Sequence, residues 1–181
     1  MPDIRETMDL FRRVCDQATE VAERFGLGVV MTDDHLIVYA TSPHMGSCNS
    51  NEIPKNAQHY FKVCVYNSGS SRVSWWPYPV ISNTGTIKLS SLGSIYDDDQ
   101  LYGEYRSLAD LDMDKFPDEF VRVTAQVVNR INELERRLDA KDQLAAILDI
   151  RSSSENLRFA IDGTNPRLEE TLYPCAGPEY T

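Results

Sequence analysis

The sequence of 181 residues lacks the long apolar runs, paired cysteines and apolar start that would direct it to a membrane or out of the cell. No apolar run approaches the roughly 18 residues that a membrane-spanning helix needs. The opening residues, Met1 to Glu6, carry charges where a secretory signal peptide would be apolar. The four cysteines are scattered and form no CxxC pair. We therefore expect a cytoplasmic protein with reduced thiols and no membrane contact.

Clusters of lysine and arginine are also missing, although the net charge is −10. Nine acidic residues lie within 97–119, where Arg106 and Lys115 are the only basic ones. Binding to a phosphate backbone needs clustered basic side chains, so no direct nucleic-acid binding is expected. An acidic surface instead favours association with a basic protein partner. The candidate contact residues are three consecutive aspartates, Asp97, Asp98 and Asp99.

Apolar periodicity predicts a helix near each end of the chain and short strands between them. Apolar residues recur every three or four positions in 3–25 and in 117–149, which is the helical period. Six shorter apolar or alternating runs predict strands at 28–32, 36–41, 60–66, 72–76, 80–82 and 86–90. The first two runs are apolar on both faces, which indicates central positions in the sheet. The predicted fold class is α+β, with a small antiparallel sheet of about five or six strands flanked by an N-terminal helix and a long C-terminal helix.

The chain is expected to form one α+β domain over 1–150, followed by a linker and a mostly extended or mobile tail over 151–181. Three serines follow Arg151, as in a linker, and apolar residues alternate in 157–161 as in a possible last strand.

The long C-terminal helix predicts self-association. A helix of thirty residues is about 45 Å long, whereas a typical strand is about 20 Å long, so a small sheet cannot cover the whole apolar seam. We expect a homodimer or a higher homo-oligomer held by coiled-coil packing, with pairing onto the N-terminal helix of the same chain as the alternative. The expected contact residues follow a four-three spacing: Val127, Ile131, Leu134 and Leu138.

Two adjacent tryptophans lie on one predicted strand, so their side chains point to opposite faces of the sheet. One of them can enter the core. The other, for which we take Trp76, is a candidate interaction anchor, and burial under a helix of the same chain is the alternative.

The best candidate for a metal site combines two histidines and two cysteines, all of which can bind zinc. They are His44, Cys48, His59 and Cys64. Their spacing, H-x3-C and then H-x4-C, lacks the close pairs of known zinc motifs, so a polar loop beside a core cysteine is the alternative. No signature of a catalytic nucleophile or a phosphate-binding loop is present, so no cofactor is expected and an enzyme is not favoured.

The order of helix, two strands, loop, further strands and long terminal helix resembles the layout of GAF and PAS-type sensor domains. In those domains the terminal helices pair between subunits and the sheet cups a small ligand. The resemblance implies an enclosed apolar pocket between the sheet and residues 42–58. The leading hypothesis is nevertheless a non-enzymatic acidic interaction protein, acting as a regulator, an inhibitor or an assembly component. A GAF/PAS-like small-ligand sensor and a metal-dependent enzyme are the alternatives.

Overall fold

The computed structural model describes residues 3–46, 50–90 and 106–162, with side chains as far as residue 151. These residues form two α-helices, six β-strands and one short 3-10 helix at Leu108–Asp110. The elements in chain order are α1 (Ile4–Arg24), β1 (Gly28–Met31), β2 (His35–Thr41), β3 (Ala57–Val65), β4 (Ser71–Trp75), β5 (Tyr78–Ile81), β6 (Ile87–Ser90) and α2 (Phe116–Asp162). The α+β class is therefore confirmed, and each of the six strands predicted between the two helices overlaps an observed one.

The strands form two antiparallel sheets rather than one. The first sheet has the order β1-β2-β3-β4, and β5 pairs with β6 in a separate two-stranded sheet. The central position expected for β1 is wrong, because β1 lies at an edge. Its apolar residues are covered only in part: α1 contacts the strand and Val30 packs against the buried Ile37 and Ile53, but Met31 is 59% exposed. Apolarity on both faces here reflects this partial cover and not a central position.

A β-bulge in β3 sets which side chains face the helices. Val38 of β2 lies opposite Phe61, but the next residue of β2, Tyr39, lies opposite His59. Tyr60 is therefore an extra residue without a partner on β2, and a bulge of this kind turns neighbouring side chains to the same face. Both Tyr60 and Phe61 are fully buried.

An aromatic cluster joins this face of the sheet to the start of α2. Phe61 and Trp75 lie opposite each other on β3 and β4, with ring centroids 5.2 Å apart in a T-shaped arrangement. Phe120 of α2 packs edge-on against Phe61 at 5.2 Å and against Trp75 at 5.5 Å. Tyr60 and Phe116 complete the cluster. Such aromatic pairs contribute about 0.5–1.5 kcal/mol each beyond the area that they bury, so this cluster is a major attachment of α2 to the sheet.

The sequence explains both ends of α1. The Asp3 side chain accepts a hydrogen bond from the Arg5 backbone N–H at 3.2 Å, which is an N-cap contact. After the helix, Gly26 has a φ of 72°, a left-handed conformation that glycine adopts without steric cost. The buried side of α1 includes Cys15, whose pKa is raised to about 12, first by burial and then by the nearby charge of Asp16. This thiol is a core group.

The second helix is longer than predicted. It continues to Asp162, so the strand expected at 157–161 is wrong, because those residues are helical. The chain divides into two compact units, Met1–Arg136 and Arg137–Thr181. The proposed domain of 1–150 with a tail from residue 151 stays a prediction.

The buried hydroxyl pair between β3 and α2 gives a test of this packing. Tyr60 Oη lies 2.6 Å from Thr124 Oγ1, and both residues are fully buried. We expect Tyr60→Phe to lower the free energy of unfolding by about 1–3 kcal/mol, because it leaves the Thr124 hydroxyl without this partner. Denaturant unfolding of Tyr60→Phe, Thr124→Val and the double variant measures the coupling.

In this cycle the double variant should lose less free energy of unfolding than the two single variants lose in sum, because it removes both hydroxyls together. Tyr66→Phe is the matched control. Tyr66 is 47% exposed, so this change should stay within about 0.5 kcal/mol. Strictly additive losses would show that the two hydroxyls do not depend on each other.

Candidate functional site

The two tryptophans separate as the strand pattern predicts, and this separation creates a site on the outer face of the sheet. Trp75 is buried in the aromatic cluster, whereas Trp76 is half-buried on the face away from it. The backbone N–H of Trp76 donates to the carbonyl of Tyr60 at 3.1 Å, which holds it beside the bulge. Its ring lies 5.9 Å from the ring of His59, at an angle of 38°. The bulge thus sends Tyr60 inward and leaves His59 on the side of Trp76.

A cavity of about 560 Å³ opens over these two rings, and we call it the hairpin pocket. This volume lies within the range of small-molecule sites. Its lining comes from the loop after β2, from the start of β3, from Trp76 and from the hairpin of β5 and β6. The lining residues are Gly46, Gln58, His59, Trp76, Ser82, Asn83, Thr84, Thr86, Lys88 and Leu89.

Hydrogen bonds fix the two walls of the hairpin pocket relative to each other. The Gln58 side chain accepts from the Leu89 backbone N–H at 2.8 Å and donates to the Ile87 carbonyl at 3.3 Å, so one side chain of β3 holds the backbone of β6. At the hairpin turn, the Ser82 hydroxyl lies 2.8 Å from that of Thr84 and 2.9 Å from that of Thr86. The wall is therefore preorganised.

His59 is the least satisfied polar group of the hairpin pocket. Its Nε2 is buried and makes no hydrogen bond with any residue that the structure describes. Burial lowers the pKa of His59, the nearby positive charge of Lys62 lowers it further, and Glu52 opposes the shift. His59 is consequently neutral near pH 7, with one ring nitrogen able to accept a hydrogen bond.

The structure describes three of the four sequence-predicted zinc ligands, His44, His59 and Cys64. Cys48 lies outside the described residues. His59 and Cys64 are five positions apart on β3, which is about 16 Å along a strand, so one zinc ion with bonds of about 2 Å cannot contact both. Within the described ranges, no three histidine, cysteine or acidic side chains approach closely enough to share a metal ion. His44 places its backbone carbonyl on the Ile87 N–H instead.

A separate polar cluster surrounds His35 at the start of β2. His35 Nδ1 lies 2.8 Å from Asp34 Oδ1, and Nε2 lies 2.7 Å from Glu52 Oε1. Partial burial would lower the pKa of His35, but these two hydrogen bonds and the charges behind them outweigh it and raise the pKa. With a carboxylate on each ring nitrogen, His35 connects the turn before β2 to the loop before β3. The Thr32 hydroxyl of the same turn also lies 2.9 Å from Nδ1.

The described part of the loop at 42–58 packs onto the sheet near Ile53. Ile53 is 7% exposed and lies against Ile37 and Ala57, with Tyr39 also packed there. The enclosed pocket that the GAF/PAS resemblance implies stays a prediction. The hairpin pocket, which Gly46 and Gln58 of this range line, is open to solvent.

The candidate contact residues of α2 are buried within the single chain. Val127, Ile131, Leu134 and Leu138 are each 5% exposed or less. Every residue from 139 to 151 is exposed, and we call this stretch the exposed segment. It contains four large apolar side chains that are each more than half exposed: Leu144, Ile147, Leu148 and Ile150. In the parts of the chain that the structure covers, no helix has the length and apolarity to cross a bilayer.

Sequence reasoning named Trp76 and His59 but missed the groups that surround them. Gln58 and Lys88 carried no motif, since each follows the ordinary alternation of a strand. The exposed segment could have been recognised from the run Leu-Ala-Ala-Ile-Leu at 144–148. The aspartates at 97–99 lie outside the described residues.

Comparison of this chain with known protein families, with curated proteins and with solved structures finds no match.

The His35 cluster predicts a pH-dependent contribution to stability. A histidine whose pKa is raised on folding stabilises the fold fully below its unfolded value of about 6.5, and this stabilisation is lost as pH rises through the folded value. The difference in free energy of unfolding between the wild type and His35→Gln should therefore be largest on the acid side and should shrink toward pH 9. Denaturant unfolding over about pH 5.5 to 9 measures this difference.

Comparing the two proteins at each pH cancels the contribution of His59, whose lowered pKa acts with the opposite sign. Glu52→Gln can keep its hydrogen bond to His35 but loses its charge, so it should reduce the pH dependence without abolishing it. A difference that is constant, or that widens as pH rises, would contradict the assignment.

Proposed function

We propose that this chain is a non-enzymatic, acidic interaction protein of the cytoplasm that self-associates through the exposed segment of α2. The observation that supports this proposal most directly is the position of four large apolar side chains on a helix stretch that is exposed throughout. Helices in proteins gain most of their stability from packing of an apolar face. We therefore expect the apolar side chains of this stretch to pack against another protein surface.

The apolar residues of the exposed segment spread around the helix. At 3.6 residues per turn, the four large side chains from Leu144 to Ile150 span about 160° of the circumference, wider than the roughly 100° stripe of an ordinary surface helix. The remaining arc carries Ala145 and Ala146 together with charged residues, among them Asp142 and Asp149. One partner helix would cover only one side. The wide arc favours a bundle of three or more helices over a two-stranded pair.

The size of the segment supports the same conclusion. Thirteen residues of helix are about 20 Å long, and one face of such a stretch offers much less than the roughly 800 Å² per partner of a stable interface. Contacts with more than one neighbour would raise the buried area of each copy. Full burial of a leucine or isoleucine contributes about 1.5–3 kcal/mol, so burial of four such residues per copy would contribute substantially to the free energy of association.

Charge complementarity favours a second copy of the chain as the partner that packs against the exposed segment. The heptad that includes Leu134 and Leu138 continues through Ala145 and Leu148. In this heptad, Arg137 and Asp142 take the two flanking positions, five residues apart, that form salt bridges between parallel identical helices. Both residues are exposed.

The second part of the proposal concerns a basic protein partner. The acidic residues of 97–119 outnumber the basic ones by nine to two. A concentrated negative charge speeds the encounter with a basic partner and makes the binding sensitive to salt. The three aspartates at 97–99 are the densest part of this charge.

We expect the wild type to form an oligomer that a charge on the apolar arc dissociates. Leu144→Glu combined with Leu148→Glu places two carboxylates where neighbouring helices would pack, so the assembly should become monomeric. Size-exclusion chromatography with light scattering measures the copy number, and thermal unfolding followed by near-UV circular dichroism checks that the body remains folded.

The matched control for this experiment is Arg12→Gln combined with Arg13→Gln on the exposed side of α1. It changes the net charge by the same amount but leaves the exposed segment of α2 unaltered, so the oligomer should persist. A wild type that stays monomeric at about 0.1 mM would rule out self-association, because an assembly that matters in a cell needs a dissociation constant well below that.

For the acidic surface, we expect Asp97→Asn, Asp98→Asn and Asp99→Asn together to weaken binding of a decalysine peptide about tenfold at low salt. The loss should shrink as salt rises, since screening already weakens these charges. Fluorescence anisotropy of the labelled peptide measures the affinity. A control with three charges removed from α1, Asp16→Asn, Glu20→Gln and Glu23→Gln, separates local from total charge, and an equal loss in both variants would refute a dedicated surface.

A further inference from the structure

We infer that the hairpin pocket binds a small planar aromatic carboxylate, with the aromatic ring against Trp76 and the carboxylate paired with Lys88. This site is separate from the self-association proposed for α2 and does not depend on it. Its walls are held by the hydrogen bonds of Gln58 and of the Ser82 turn, so the cavity exists before a ligand arrives. Preorganisation of this kind lowers the entropic cost of binding.

The aromatic preference comes from Trp76 and His59. Trp76 follows the buried Trp75 and therefore lies on the outer face of the sheet, where it lines the cavity while it remains only half-buried. A half-buried tryptophan beside a cavity offers a large apolar ring face, and aromatic rings pack well on one another. The His59 ring lies behind Trp76 at 5.9 Å and supports its position.

The preference for an anion comes from the charges around the hairpin pocket. Lys88 is exposed and lines the cavity, and none of the lining residues within the described ranges is acidic. The chain as a whole has a net charge of −10. A cavity whose described lining carries a lysine and no carboxylate is, by contrast, locally positive. The hydroxyls of Ser82, Thr84 and Thr86 and the Asn83 amide add polar groups that can bind a carboxylate.

Two other cavities of the molecule are less suited to such a ligand. The cavity of about 490 Å³ beside Ile4 and Met8 is lined by Asp33 and Asp34, and Asp34 is already held by His35. The cavity beside Phe25 is about 110 Å³, which is too small for a ring ligand of the size considered. The hairpin pocket alone among these combines sufficient volume, an aromatic face and a cation.

The experiment uses 2-naphthoate as the probe and two matched compounds. 2-Naphthamide keeps the rings and removes the charge, whereas cyclohexanecarboxylate keeps the charge and removes the aromatic ring. Isothermal titration calorimetry on the full chain should show 2-naphthoate binding at least tenfold more tightly than either compound. Absence of binding at millimolar 2-naphthoate, or equal affinity for all three compounds, would overturn the inference.

Two variants assign the contacts. Lys88→Gln should weaken 2-naphthoate about tenfold and leave 2-naphthamide unchanged, whereas Lys115→Gln, a control at the start of α2, should change neither. Trp76→Leu should weaken both naphthyl compounds at least tenfold, and Trp76→Phe should retain most of the affinity. Because Lys88 is exposed, its replacement does not threaten folding, and unchanged 2-naphthoate affinity in Lys88→Gln would refute the site as assigned.

Discussion

The extra residue in β3 is the constraint on which the two faces of the sheet depend. Because Tyr60 has no partner on β2, Tyr60 and Phe61 both point to the helices, and His59 is left on the outer face. A regular strand would put His59 and Phe61 on the same side. The aromatic cluster and the hairpin pocket are therefore two results of one backbone irregularity, and the stability of the first fixes the geometry of the second.

The fold class followed from the sequence because its elements are locally consistent. The helical period of 3–25, the cap at Asp3 and the turn at Gly26 all agree, and the structure places α1 there. What could not be predicted was set by contacts distant in the chain. The edge position of β1 depends on which strands pair with one another, and the separate sheet of β5 and β6 is joined to β3 through the Gln58 side chain. Single-strand patterns carry no information on either.

Only part of the candidate site could be predicted from the sequence, again because the rest depends on contacts distant in the chain. Adjacency of the two tryptophans predicted that one would face outward, because alternation along a strand needs no tertiary information. Which polar groups would surround it depends on the pairing of β5 with β6 and on the approach of that hairpin to β3. The four-residue zinc site stays a prediction, because Cys48 lies outside the described residues, although the extended geometry of β3 keeps His59 and Cys64 apart.

Lys141 determines the expected stability and register of the proposed assembly. In the heptad that runs through Leu134 and Leu138, the next seam position is this lysine, and only then do Ala145 and Leu148 follow. A charged residue in an apolar seam lowers the stability of a coiled coil while restricting its register and copy number, because misaligned partners would bury the charge without relief. The long lysine side chain can extend its ammonium group to water beside a partner helix. The seam past Leu138 is thus suited to an association that is specific in register and reversible in strength, which is the behaviour that a regulatory interaction protein requires.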